Sequence, residues 1–192
     1  MKRSVVFTCL AMLLAIGNYS QAQYNSPNAG VLWGISVGGA HGNNFGNDRW
    51  GMQYRAHIQF ELIPSILAIQ PGLGHASLWA PGIYSAQTGI ADVRLLVTPF
   101  TLQNLQPYAY GGVAISKCLN IGGTDYLPML PFGMGFQMMI SRGTFLDLTG
   151  GFNLSISDDL DGRTRSIANL NPITNERQDG FYGFTAGLSF GF

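Results

Sequence analysis

Charged side chains are scarce in this sequence: Asp, Glu, Lys and Arg together make up 10% of its 192 residues. Soluble globular domains average roughly 25%, so this chain would present a poor surface to water. The ten basic and ten acidic residues balance to a formal net charge of zero. No basic face is available to bind nucleic acid, so nucleic acid is not an expected partner.

Cysteine is almost absent as well. Cys9 lies inside an apolar run near the start of the chain, and Cys118 is the only other thiol. If a leader that contains Cys9 is removed, Cys118 remains alone and no internal disulfide can form, even in an oxidising compartment.

The start of the chain has the pattern of a secretory signal. Lys2 and Arg3 precede an apolar run over 5–16, and a small-residue cleavage site follows at 20–22. A run of about 12 apolar residues is too short to cross a bilayer, which needs ~20. We predict a signal peptide over 1–22 and a mature protein that begins at Gln23.

Long apolar runs are missing from the remainder, so it cannot cross a membrane as a helix, which requires a run of ~18 residues. A chain that is exported, apolar and poor in charge can still span a membrane as a β-barrel. Its apolar residues then occupy alternate positions, and a closed sheet pairs every backbone group. We predict a short segment over 23–29 and a barrel domain over 30–192.

Apolar residues do alternate with small or polar ones, most clearly from Tyr182 to Phe192, where Tyr, Phe, Ala, Leu, Phe and Phe fill the even positions. A period of two predicts a strand with two unlike faces. Eight such segments occur, each close to the ~10 residues of a tilted transmembrane strand. They are 31–38, 52–62, 66–78, 91–97, 107–116, 132–140, 144–157 and 182–192. The faces of Tyr108 and Tyr110 stay unassigned.

The connections and the aromatic residues agree with this organisation. The connections over 62–65 and 141–143 are short, whereas those over 41–50, 117–126 and 158–180 are longer and more polar, as periplasmic turns and external loops are. The connection over 98–106 is a long one on the turn side. Aromatic residues are expected at both rims: Trp33, Phe100, Phe145 and Phe192 at the periplasmic rim, and Trp50, Trp79 and Tyr126 at the outer rim.

The alternative is a soluble barrel with its apolar face inside, such as a lipocalin. That barrel would have to enclose bulky side chains from eight strands and show Gly, Ser and Gln to water. The sequence therefore favours an all-β fold, an eight-stranded antiparallel up-and-down transmembrane β-barrel.

Three segments carry a resemblance to a known family: Gln70–Gly74, Pro107–Gly112 and Gly187–Phe192. With them, the chain resembles the small outer-membrane β-barrel family related to the transmembrane domain of outer membrane protein A. The resemblance implies location in the outer membrane of a Gram-negative-type bacterium. It also implies an assembly signal for the barrel-assembly machinery at Phe184, Leu188, Phe190 and Phe192.

Several ionisable side chains fall on the predicted inner faces of the strands. A narrow lumen is filled by side chains, and charges buried there must be paired. The pattern predicts a polar network that plugs the lumen, with a gated, narrow porin-like channel as the alternative. The six residues are Arg55, His57, Glu61, Asp92, Arg94 and Asp147.

Two motifs resemble functional sites, one a catalytic pair and the other a calcium-binding loop. His75 and Ser77 share one face of a strand and resemble the His-x-Ser pair of outer-membrane lipid A deacylases, but no acid lies between Glu61 and Asp92 to orient the His. The segment over 157–162 resembles a calcium loop, but Ala168 stands where a bidentate Glu belongs. We interpret residues 158–179, which hold eight charged residues, as a solvated external loop.

The function expected from the sequence is a non-enzymatic structural or surface-interaction role. A porin-like channel is the first alternative, and a lipid A-modifying hydrolase is the second. No cofactor or metal is expected. The expected partners are outer-membrane lipid and, during biogenesis, the export translocon and the barrel-assembly machinery, with the protein itself a monomer.

Overall fold

Eight antiparallel strands form one closed sheet. The computed structural model describes residues 30–43, 48–82, 84–102, 104–120, 126–156 and 180–191. The strands are β1 (Val31–Gly42), β2 (Trp50–Ile63), β3 (Leu67–Ala80), β4 (Tyr84–Val97), β5 (Leu105–Cys118), β6 (Leu127–Ser141), β7 (Thr144–Ser155) and β8 (Gly180–Gly191). Each strand pairs with the next along the chain, and β8 pairs with β1. The predicted eight-stranded antiparallel up-and-down barrel is confirmed.

The barrel has two unlike ends. At the turn end, the connections span 64–66, 98–104 and 142–143, and at the loop end they span 43–49, 81–83, 119–126 and 156–179. Several predictions concern residues outside those that the structure describes. They are the signal peptide over 1–22, the segment over 23–29, the calcium-like segment with Ala168, the external loop over 158–179, and Phe192 of the assembly signal. Within the part of the chain that the structure describes, no helix is long and apolar enough to cross a membrane.

The outer wall is apolar on all eight strands, because alternate side chains of each strand point away from the lumen. Leu73 in the middle of β3 is 68% exposed and Met134 in the middle of β6 is 71% exposed. The intervening positions turn inwards and bury polar side chains, including Gln53, Gln70 and Gln137. The apolar faces that the alternation predicted to point outwards do so.

Strand β4 is longer than the sequence indicated. It begins at Tyr84, whereas the predicted strand began at Ala91, and the connection before it spans only 81–83 although it lies at the loop end. Residues 85–89 are Ser, Ala, Gln, Thr and Gly, so they lack the large apolar side chains by which alternation is recognised. Pairing of Trp79 with Ser85 and of Leu78 with Ala86 holds them in the sheet.

The aromatic residues near the rims need one correction. Trp33 and Phe190 lie on the outer wall near the turn end, with their ring centroids 4.8 Å apart. Trp50, 60% exposed, lies at the loop end. Phe145, expected with the aromatic residues of the turn-side rim, is only 9% exposed, because it occupies an inward position of β7 next to outward-facing Leu146. Tyr108 and Tyr110, whose faces the sequence left open, also point into the lumen.

Candidate functional site in the barrel lumen

A carboxylate shared by two arginines lies at the centre of the lumen. Asp92 of β4 accepts hydrogen bonds from Arg55 Nη2 at 2.7 Å and from Arg55 Nε at 3.0–3.1 Å. Arg94 reaches the same carboxylate through Nε and Nη2, both at 2.9 Å. All three side chains are at most 9% exposed. The register pairs β2 with β3 and β3 with β4, so Arg55 reaches Asp92 across an intervening strand.

Asp147 of β7 occupies a separate position with neutral partners. Tyr108 donates its hydroxyl to Asp147 Oδ1 at 2.7 Å, Gln137 Nε2 donates to Oδ2 at 3.1 Å, and Thr149 donates to Oδ1 at 3.1 Å. These three hydrogen bonds offset the cost of burying a carboxylate away from water. Asp147 therefore belongs to the polar interior, but it forms no ion pair within 4.0 Å among the described residues.

Glutamines connect the two acidic positions. Gln70 accepts from Arg55 Nη1 at 2.7 Å and donates to Gln59 at 3.1 Å. Gln137 donates both to Gln59 at 3.1 Å and to Asp147. The result is one continuous hydrogen-bonded chain from Arg55 to Tyr108. We call these side chains the polar layer: Arg55, Gln59, Gln70, Asp92, Arg94, Tyr108, Gln137, Asp147 and Thr149.

Two of the six ionisable residues that the sequence singled out lie apart from this layer. His57 Nε2 lies 3.3 Å from Ser189 Oγ of β8. Glu61 is half-buried at the turn end, beside a cavity of about 10 Å³. Neither makes an ion pair with a described residue. The other four residues, Arg55, Asp92, Arg94 and Asp147, are joined through the polar layer.

Glycines on the inner face make room for the large polar side chains. An ideal Cβ on Gly72 would lie 2.5 Å from Nη2 of Arg55, and one on Gly135 would lie 2.6 Å from the Tyr108 hydroxyl. Because Arg55 is held by Asp92 and Gln70, it cannot move aside freely. The glycine-rich inner face is therefore complementary in volume to the polar layer.

We expect Gly72→Ala to lower the free energy of unfolding by about 1–3 kcal/mol, the usual cost of overpacking. Gly111→Ala is the matched control, because a Cβ there would meet nothing within 4 Å. Urea unfolding of the folded barrel, followed by tryptophan fluorescence, measures both variants. Equal effects of the two substitutions would show that Arg55 does not fill the space above Gly72.

The loop half of the lumen is filled mainly by apolar side chains, which the sequence pattern did not predict. Phe181 is fully buried, and Leu78, Met129 and Leu127 are at most 6% exposed. We call this cluster the apolar layer: Ala40, Ala76, Leu78, Ala80, Ala86, Ala114, Cys118, Leu127, Met129 and Phe181. One sequence signal was available, since Leu127–Leu130 and Phe181–Tyr182 place apolar residues on both faces of their strands.

Two cavities that described residues line in the polar half of the lumen are small. The cavity bordered by Gln53, His57, Arg94 and Asp147 measures about 20 Å³, and a single water needs roughly 10–15 Å³. The cavity beside Glu61 is smaller still. Neither cavity is wide enough for a hydrated ion to pass.

His75 and Ser77 lie on the outer wall of β3 but do not form a catalytic pair. The His75 ring stacks on Tyr54, with ring centroids 4.8 Å apart. Ser77 Oγ instead donates to Gln87 Oε1 at 2.9 Å. Activation of a Ser needs its hydroxyl bonded to a base that a third group orients. Among the described residues, no three His, Cys, Asp or Glu side chains are grouped closely enough to hold a metal ion.

Comparison with known proteins gives no match to a family model or to a curated protein sequence. Solved structures do match. Neisserial surface protein A aligns with a TM-score of 0.64 at 12% identity, over 85% of this chain and 98% of that one. The chain therefore has the fold of a small outer-membrane β-barrel.

Two further barrels support this fold. The N-terminal β-barrel domain of Pseudomonas aeruginosa OprF gives a TM-score of 0.51 at 14% identity, over 85% of this chain and 99% of that one. A major outer membrane protein from Thermus thermophilus gives 0.50 at 11% identity, over 84% and 99%. The resemblance to small outer-membrane barrels, first drawn from three segments, is confirmed at the level of fold.

Proposed function

We propose that this protein is a closed, non-conducting β-barrel of the outer membrane of a Gram-negative-type bacterium, with a structural or surface-interaction role and no enzymatic activity. The observation that carries the proposal is the inside-out distribution of polarity. Side chains such as Leu73 and Met134 are exposed on the outer wall, while Arg55, Asp92 and Arg94 are buried inside.

The outer wall supports a membrane location. A soluble form of this barrel would expose a continuous apolar surface to water on every strand. That surface is far larger than the few hundred Å² that soluble monomers expose. Hydrocarbon, by contrast, requires apolar side chains outside and a closed sheet that leaves no backbone group unpaired. Outer-membrane lipid is accordingly the main partner in the proposal, and the barrel-assembly machinery and export translocon would act during biogenesis.

The two layers of the lumen support a non-conducting barrel over a porin-like channel. An ion that entered from the turn end would have to displace Arg55 and Arg94 from Asp92. At the loop end it would then meet Phe181 and Met129, which offer no polar atoms to replace its hydration shell. Both barriers consist of side chains on strands of a closed sheet. Movement of a connecting loop would therefore not be enough to open either barrier.

The loop end is where we place the interaction role. Residues 158–179 carry eight charged residues of both signs, whereas the outer wall of the strands carries few. Charged segments of this kind bind partners through complementary charge rather than through apolar burial. Surface lipids, ions or a protein could be bound there without any change in the barrel.

The proposal is tested with the full-length protein, expressed and then purified in folded form. We expect it to fractionate with the outer membrane and to give no stable unitary conductance in planar bilayers, while a general porin in the same membranes does. Recovery of the protein as a soluble periplasmic species would contradict the membrane location. Reproducible conductance steps would contradict the sealed lumen and favour the channel.

A further inference from the structure

One glutamine in the lumen has a buried carbonyl that the rest of the described chain does not satisfy. Gln53 of β2 points inwards and is 6% exposed, yet its Oε1 accepts no hydrogen bond from a described residue. This atom lies against β8, where an ideal Cβ on Gly183 would overlap it. Because buried polar groups are nearly always hydrogen-bonded, Gln53 Oε1 requires a donor.

Gln53 and Gly183 both border the cavity of about 20 Å³ in the polar half of the lumen. A single water needs roughly 10–15 Å³, so this space holds one molecule of that size. Apart from Gly183, every side chain that lines the cavity is polar. Thr185, two residues along β8 from Gly183, and Asn153 of neighbouring β7 can supply further hydrogen bonds. A polar cavity with several partners binds water, whereas an apolar one stays dry.

The chemistry of the lining selects among occupants of this size. Gln53 Oε1 is an acceptor, so the occupant must donate a hydrogen bond, which a halide ion cannot do. A cation would lie beside Arg55 and Arg94, which also border the cavity. The formal charges of these arginines are already balanced by Asp92 and Asp147. The occupant is therefore a neutral donor with one heavy atom.

We propose that the cavity binds one structural water molecule, which donates a hydrogen bond to Gln53 Oε1. The register places this site where the two layers of the lumen meet, since Asn153 pairs with Phe181 of the apolar layer. The apolar layer thus begins directly beside the water. Because the site lies inside the barrel, it does not depend on what surrounds the outer wall.

His57 Nδ1 also has no hydrogen-bond partner among the described residues, but it is not assigned to this water. His57 is four residues from Gln53 along β2, about 13 Å at the usual strand rise, so one water cannot reach both. Its ring faces Gly34 and Ser189, which do not border the cavity, whereas Gln53 Oε1 faces Gly183, which does.

The test is a high-resolution crystal structure of the folded full-length protein in detergent, from crystals grown with and without sodium bromide. We expect one density peak within about 3.2 Å of Gln53 Oε1, with no anomalous scattering from bromide. Gln53→Met removes the acceptor at similar size and should lose the peak. Gln87→Met is the matched control, because Gln87 lies on the outer wall of β4, and this variant should keep the peak.

Gly183→Ala tests the same site by volume. The three atoms nearest to the added methyl group all belong to the Gln53 amide, so this variant should push the amide into the cavity and expel the water. It also serves if Gln53→Met fails to fold, which heat-modifiable mobility on gels reports. A wild-type cavity without the peak, or a peak that remains in the folded cavity variants, would overturn the water site. Anomalous scattering from bromide would overturn it too and assign the cavity to an anion.

Discussion

Replacement of Asp92 by Asn should lower the free energy of unfolding of the barrel by about 3–5 kcal/mol, the usual cost of breaking a buried ion pair from one side. Asp92 is the carboxylate that both Arg55 and Arg94 contact, and these side chains are at most 9% exposed. Asn keeps the shape of the side chain but removes its charge, so the two buried guanidinium groups lose the carboxylate that contacts them both.

Glu61→Gln is the matched control, since it makes the same acid-to-amide change at a half-buried position near the turn end. We expect a loss below about 1 kcal/mol there, because Glu61 makes no ion pair with a described residue and its neutralisation leaves no partner charge behind. Reversible urea unfolding in phospholipid vesicles, followed by tryptophan fluorescence, gives both values. Similar losses for the two variants would mean that Asp92 does not neutralise the arginines.

Replacement of Met134 by Arg should cost about 2–4 kcal/mol, the range for a lipid-facing position at the bilayer midplane. Met134 is in the middle of β6 and is 71% exposed, so in the proposed membrane location an Arg there would face hydrocarbon. In water the same change would be nearly neutral, because the side chain is on the surface.

Met52→Arg tests whether the cost of an Arg depends on its depth in the bilayer rather than on the exposure of the side chain. Met52 is also an exposed methionine, at 62%, but it is the third residue of β2 and lies close to the loop end. The expected cost is about 0–1 kcal/mol, because charges near the interface reach water. The same unfolding assay measures both variants. If both substitutions prove equally mild, the wall does not face hydrocarbon and the proposed membrane location fails.

The sequence predicted the number of strands and their outward faces because both depend on local alternation. Tyr182 to Gly191 shows large and small residues in strict order, and the structure places them on opposite faces of β8. Residues 85–89 show no such order, so the first half of β4 was not predicted. Tyr108 and Tyr110 were ambiguous because Tyr suits either a lumen or a membrane interface.

The pairing inside the lumen could not be predicted, since it depends on register rather than on pattern. Alternation placed Arg55, Asp92 and Asp147 on inner faces. The sequence of a single strand does not show which side chains of the other strands lie opposite. The register brings Arg55 to Asp92 and leaves Asp147 to Tyr108. The apolar layer was not predicted for another reason. A polar interior was expected along the whole length of the barrel, and Leu78 and Met129 depart from it only at the loop end.

The apolar layer also has a consequence for assembly, because its members come from both ends of the chain. Ala40 belongs to the first strand, and Phe181, its bulkiest fully buried member, belongs to the last. A sheet of seven strands would lack Phe181 and would also have an open edge. In the proposed non-conducting barrel, closure of the sheet and loss of permeability would therefore be one event. We expect the membrane to leak during insertion only until β8 pairs with β1, so the permeability of a stalled intermediate would report how far this last step has gone.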